Sequence, residues 1–220
     1  MKKPEIQDLT PALSLALHLR AEYFGPAWQV YLFKPLTTSL IIAMALLLPG
    51  QAGRRYRGLI VCGLVFSLAG DIFLMLPGDR FVQGLASFLL AHLCYIAAFA
   101  SSAGVRVTPR LLAPYVLYDV GLMVLLWPHL GPLAMPVAVY GVVLVAMAWQ
   151  AAERWAVLRS GPALGAALGG VLFVLSDSII AVNRFVAPFR ASRLVIMTTY
   201  IAAQWFIARS VGESHNPRKR

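Results

Sequence analysis

The stretch Leu64–Leu76, LVFSLAGDIFLML, sets a single carboxylate, Asp71, in a run otherwise suited to lipid. Twelve of its thirteen residues carry no charge, so the run reads as the outer half of a membrane-spanning helix. An ionised side chain at the bilayer centre costs about 2.5–3.5 kcal/mol on insertion scales, so a compensating partner or a chemical task must accompany it. Outward from this stretch the same composition continues. Of the 220 residues, 60% are hydrophobic and 13% charged, and the mean hydropathy is +0.74. Soluble domains carry about 25% charged residues. The expectation is an all-α, polytopic membrane helix bundle, a single integral domain over residues 1–220.

A hydrocarbon core about 30 Å thick takes about 20 apolar residues per helix. Eight hydrophobic segments fit that length, at 10–26, 28–49, 58–77, 81–103, 110–128, 132–152, 162–184 and 191–211. Pro, Gly and Arg cluster at the breaks, as in PGDR, PHLGP and ERWAVLRSGP. The first segment is the weakest, interrupted by His18, Arg20 and Glu22. The net charge of +10 sits in loops and tails, which points to lipid headgroups rather than nucleic acid. With the N-terminus inside, thirteen Lys and Arg fall on the inner side: Lys2, Lys3, Arg54, Arg55, Arg57, Arg106, Arg110, Arg154, Arg159, Arg209, Arg218, Lys219 and Arg220. Six fall outside: Arg20, Lys34, Arg80, Arg184, Arg190 and Arg193. This excess predicts both termini in the cytoplasm, in a bacterial inner membrane. No removable signal peptide is expected. The only cysteines, Cys62 and Cys94, lie in apolar runs and offer no disulfide framework or zinc knuckle.

The polar residues inside these segments share a depth. Asp71 and Asp177 each lie about two-thirds along an outward helix, while Lys34, Tyr200 and Gln204 lie on inward ones, with Glu22 near the outer end of the first. At about 1.5 Å per residue they fall in one layer about 10–15 Å deep. Ser67, Gly70, Asp71 and Leu74 follow the spacing of one helix face, and Gly63 and Gly70 would let a neighbour approach. Gly169, Gly170, Phe173 and Asp177 repeat that arrangement. Pro35 frees a backbone carbonyl beside Lys34, with Thr37 and Thr38 on the next turn. His92 and Tyr95 add further polar groups one turn apart. Asp119 either lines the same pocket or bonds locally, and His129 belongs to a surface loop. Singly, each has a structural explanation, such as an Asp–Lys lock between helices or a satisfied core histidine. Together they describe a buried polar pocket.

Five pieces of the chain, in order, carry a resemblance: KPLTTSLI at 34–41, FSLAGDIFLML at 66–76, FVQGLASFLLAHLCYI at 81–96, GGVLFVLSDSIIAVNRF at 169–185 and VIMTTYIAAQWFI at 195–207. Over nearly its whole length the sequence resembles the YhhN family of membrane lysoplasmalogenases. The resemblance implies an eight-helix enzyme that cleaves the vinyl ether bond of lysoplasmalogens, releasing a fatty aldehyde and glycerophosphoethanolamine or glycerophosphocholine. Lys34, Asp71, His92, Asp177 and Tyr200 fall within the family's motifs.

Vinyl ether hydrolysis begins with proton transfer to the β-carbon and passes through an oxocarbenium ion. It therefore resembles glycoside hydrolysis, in which two carboxylates divide the work according to their surroundings. A carboxyl against apolar walls keeps its proton more readily than one paired with lysine. The expected catalytic residues are Asp71 and Asp177, with Asp177 preferred as acid, Asp71 as the lysine-paired partner, and the reverse left open. Lys34, His92, Tyr200, Gln204, Tyr95, Ser67, Thr38 and Asp119 are the expected supporting residues, and Arg184 and Arg190 the candidates for the phosphate. The implied partners are a lysophospholipid substrate and the bilayer, with no cofactor and no metal. A transporter using the same Asp/Lys cluster is the rival reading. An intramembrane aspartyl protease fits less well, since LAGD lacks the first glycine of GxGD.

Overall fold

A computed structural model describes residues 6–50 and 52–212. It contains eight α-helices: α1 (Ile6–Phe24), α2 (Ala27–Leu47), α3 (Arg54–Met75), α4 (Phe81–Ala103), α5 (Pro109–Leu130), α6 (Ala134–Leu158), α7 (Gly161–Phe185) and α8 (Ser192–Arg209). Among the described residues there is no strand. In lipid every backbone N–H and C=O must be bonded within the protein, and a helix does this inside one segment. The helix ends fall where the sequence punctuates. Pro26 precedes α2, Gly104 follows α4 with φ 76°, and the Ser160 hydroxyl accepts from the Ala163 N–H at 3.2 Å to cap α7.

Six segments are long and apolar enough to cross a membrane: Trp28–Leu47, Arg54–Met75, Phe81–Ala103, Pro109–Leu158, Gly161–Phe185 and Ser192–Gly212. The 50-residue segment is not one rod. It reverses through a 3-10 turn at Gly131–Leu133, where Gly131 takes φ 51°, a left-handed value that favours glycine. Asp119 then lies against Gly141, although a straight helix would hold them about 33 Å apart. The polar first segment is helical too, as α1, but is not among the six. It lies along α2 through a Ser14–Thr37 hydroxyl contact of 2.7 Å, with His18 buried.

Large apolar side chains face outward along the bundle, with Leu47, Leu117 and Val124 exposed by 72%, 73% and 72%. That surface suits acyl chains and not water. The main core joins α2, α3, α4, α6, α7 and α8, and a smaller cluster of Phe81, Leu126, Leu130 and Val137 closes one end. The α3–α4 seam shows why the glycines of α3 matter. Gly63 makes room for the Tyr95 ring and Gly70 for Phe88, whose ring a Cβ at position 70 would meet at 2.7 Å. Cys62 and Cys94 sit side by side as free thiols, 3.6 Å apart.

The structure corrects one boundary with consequences for charge. The break read at ERWAVLRSGP begins later, because α6 continues to Leu158 and carries Glu153 and Arg154 inside the bundle. Glu153 accepts from the Thr108 N–H at 2.7 Å, the Thr108 hydroxyl at 3.0 Å and the Trp149 indole at 3.1 Å. Arg154 donates to Ser102 at 2.8 Å and lies 4.6 Å above the Tyr56 ring. Arg154 is therefore not the loop cation that the charge count assumed. Lys2, Lys3, Arg218, Lys219 and Arg220 of that count lie outside the described residues.

Candidate active site

The polar groups expected at one depth do meet, but in two clusters. The first surrounds Asp71 on α3. Lys34 of α2 approaches Oδ1 at 3.5 Å, while Thr38 and Tyr200 donate to Oδ2 at 2.8 and 2.7 Å. Behind Tyr200 the network continues. Gln204 donates to the Tyr200 hydroxyl at 3.1 Å, Tyr95 donates to Gln204 at 2.8 Å, and Ser67 stands 3.4 Å from Tyr95. Six of the expected supporting residues thus belong to one chain of contacts across α2, α3, α4 and α8. Thr37 bonds the Phe33 carbonyl at 2.7 Å, and α2 runs unbroken past Pro35. The Asp71 carboxylate is saturated, its side chain 2% exposed.

The second cluster surrounds Asp177 on α7. The Tyr140 hydroxyl of α6 donates to Oδ2, and the His92 Nε2 lies 3.0 Å from that hydroxyl and 3.9 Å from Oδ2. No described group bonds Asp177 Oδ1. His92 Nδ1 is buried without a hydrogen-bond partner. With Tyr140 donating to the carboxylate, its oxygen accepts from His92, which assigns the proton to Nε2 and leaves a bare lone pair on Nδ1.

An aromatic wall separates the clusters. The Tyr200 ring packs edge-on against Phe88 and Phe173, with centroids 5.9 and 5.5 Å apart, and Phe173 packs against His92 at 4.6 Å. The two aspartates therefore share a layer of the bundle but no hydrogen bond.

Only one of them faces open space. A cleft of about 460 Å³ between α3, α4, α6 and α7 is lined by Leu74, Phe81, Phe88, Tyr140, Asp177 and Phe185, among others. A second chamber of about 380 Å³, between α5, α6 and α7, also has Tyr140 and Asp177 in its wall and adds Asp119. Asp177 stands where the two meet. Arg184 stacks 4.2 Å above the ring of Phe81, one of the residues that line the cleft, and pairs with Asp79 at 2.8 Å. The Phe81 backbone N–H, and then Arg184, hold the exposed Asp79 carboxyl below the usual carboxylate range. Glu22 lies elsewhere, paired with Arg193 at 2.8 Å, and Arg190 offers its backbone carbonyl to Tyr23 at 3.4 Å. His129 is exposed, at the end of α5. Among the described residues no three His, Cys, Asp or Glu side chains converge as metal ligands would.

The residues that sequence reasoning missed are Tyr140, Phe88 and the Tyr118–Ser178 pair, whose hydroxyls meet at 2.9 Å. The signal for Tyr140 was slight: one hydroxyl in the run PVAVYGVVLV, at the same depth as the aspartates.

A multi-pass helical membrane protein with a carboxyl group at the foot of an apolar cleft is the class that this fold and site define. The chain belongs to the YhhN family, whose model matches residues 29–211. It is 32% identical over 201 residues to the Escherichia coli O6:H1 membrane protein YhhN, covering 90% of this chain and 95% of that one. It is 36% identical over 193 residues to human lysoplasmalogenase TMEM86B, covering 87% and 79% of the two chains. A Mycobacterium bovis protein named lysoplasmalogenase is 35% identical over 203 residues, covering 89% and 75%. No solved structure matches.

Proposed function

We propose that this chain is a lysoplasmalogenase, an ether-bond hydrolase that cleaves the alkenyl ether of a lysoplasmalogen within an eight-crossing bundle with both ends in the cytoplasm. The lysoplasmalogenase relatives support the activity, and the positive charge of the short loops supports the orientation. The observation that carries the mechanism is Asp177, which lines the cleft with Oδ2 bonded by Tyr140 and Oδ1 without a described partner.

With Oδ2 committed to Tyr140, the transferable proton belongs on Oδ1. It passes to the β-carbon of the alkene, and the ether oxygen helps to carry the positive charge left on the adjacent carbon. Water bonds to that carbon and gives a proton to the Asp177 carboxylate. The hemiacetal then breaks its bond to the glycerol oxygen, which takes up a proton from Asp177 as the hemiacetal hydroxyl gives one back to the Asp177 carboxylate, and the other product is the aldehyde. Asp71, the lysine-paired carboxylate, acts at one remove by fixing Tyr200 and so the Phe88–Phe173 wall of the cleft.

Arg184 lies seven residues beyond Asp177 on α7, about 10.5 Å along the helix and on the same face. Its place on Phe81, which lines the cleft, supports a role in binding phosphate, with the apolar walls taking the alkenyl chain.

The test is to incubate the purified chain with a lysoplasmenyl lipid and with its saturated ether analogue, and to measure aldehyde. Aldehyde from the vinyl ether alone is expected. Solute movement across proteoliposomes without aldehyde would instead identify a transporter.

A further inference from the structure

We infer that His92 is a positioning residue, which fixes the order of protons along His92, Tyr140 and Asp177 and so sets the transferable proton on Asp177 Oδ1. The inference rests on the lysoplasmalogenase reading and supplies a cause for the proton placement that it uses.

Three helices bring the chain of groups together: α4 supplies His92, α6 Tyr140 and α7 Asp177. The His92 Nε2 lies 3.0 Å from the Tyr140 hydroxyl, which bonds Asp177 Oδ2. A tyrosine hydroxyl has one proton and gives it to one neighbour at a time. A protonated carboxyl group both donates and accepts, so Asp177 alone admits two orders. In the first, Nε2–H donates to the Tyr140 oxygen, Tyr140 donates to Oδ2, and the carboxyl proton sits on Oδ1. In the second every bond is reversed. Oδ2–H donates to Tyr140, Tyr140 donates to a bare Nε2, and the histidine proton moves to Nδ1.

The surroundings of Nδ1 decide between them. His92 is fully buried, and Nδ1 has no hydrogen-bond partner. Aromatic packing holds the ring instead, with the Phe173, Tyr140 and Tyr95 centroids 4.6, 5.4 and 6.4 Å away. A buried N–H without an acceptor is rarer in native proteins than an acceptor without a donor. A proton on Nδ1, in the other tautomer or in the imidazolium, would be such an orphan. The first order therefore prevails. Without the Nε2–H donor the preference reverses, because a carboxylic acid is a stronger donor than a phenol. Oδ2 would then keep the proton, bound to Tyr140 and withheld from an alkene.

The experiment uses the full chain in detergent with a lysoplasmenyl lipid. His92→Phe keeps an aromatic ring in place and deletes the donor. It is expected to lower kcat about 10-fold, the rate equivalent of one neutral hydrogen bond, with KM within about 2-fold. His92→Gln, which offers an amide N–H to Tyr140, is expected to hold kcat within about 3-fold of wild type. In a Tyr140→Phe background there is no hydroxyl to direct, so His92→Phe is expected to cost less than about 2-fold more. Nitrogen NMR of the histidine-labelled chain, with His92→Phe identifying the signal, is expected to show Nε2 protonated and Nδ1 bare. A folded His92→Phe with wild-type kcat overturns this inference and leaves the functional reading standing. So does a His92→Gln as slow as His92→Phe, a double variant whose losses multiply, or a protonated Nδ1. No aldehyde from wild type overturns both.

Discussion

Asp71 and Asp177 lie in the same layer of the bundle and are equipped in opposite ways. Around Asp71 both carboxylate oxygens have partners: a lysine on one, two hydroxyls on the other, and a second rank of Gln204, Tyr95 and Ser67 behind them. Around Asp177 only one oxygen has a described partner, and the residue lines a cleft. A fully satisfied network rigidifies the structure around it. A half-satisfied one, beside empty space, has capacity left for a ligand. The lesson is that an intramembrane carboxylate is read by its unmet bonding capacity more than by its presence.

The sharpest way to break this comparison is Asp177→Asn. It keeps the shape and removes the proton, so aldehyde release should fall by about 10³-fold, within the range for loss of a general acid, while the apparent melting temperature stays put. Asp71→Asn should do the reverse in order of importance. Leaving the partly buried Lys34 without its counter-ion costs about 3 kcal/mol, a fall of roughly 6–12 °C in melting temperature, with activity lost as the wall loosens. A scan of thermal stability beside initial rates separates the two; equal melting temperatures for both variants would erase the distinction. Tyr140→Phe removes the bond that fixes Asp177 and should lower kcat by about 10-fold at a stability cost of about 1 kcal/mol. Arg184→Gln should raise KM by about 5-fold with kcat unchanged, in proportion to about 1 kcal/mol of phosphate binding. The smallest effect belongs to Tyr95→Phe, deep in the saturated network, where about 1 kcal/mol of stability and almost no rate should be lost.

Much of this was legible because lipid makes polar residues conspicuous. Lys34, Thr38, Asp71, Tyr200 and Gln204 stood out at a common depth, and depth follows from counting residues along a helix. That Asp177 and His92 would stand apart from them in a second cluster was not legible, because it depends on how each helix is rotated about its axis. A turn of 100° per residue moves a side chain from one neighbour to another without changing its depth. Tyr140 was hidden because a tyrosine in an apolar helix is ordinary until its hydroxyl is seen to have a partner. Glu153 and Arg154 misled in the other direction. Their charges read as the end of a helix, yet Thr108, Trp149, Ser102 and Tyr56 supply enough contacts to keep them inside.

The contacts of Asp71 also constrain how the chain is made. Its nearest partners in sequence, Lys34 and Thr38, leave the ribosome before it, whereas Tyr200 follows 129 residues later. A lone lysine in a nascent helix costs about 2.5–3.5 kcal/mol to leave in lipid, so α2 gains by entering the bilayer together with α3 as a neutralised hairpin. The second hydroxyl arrives only with α8, which thereby locks a pair assembled long before it.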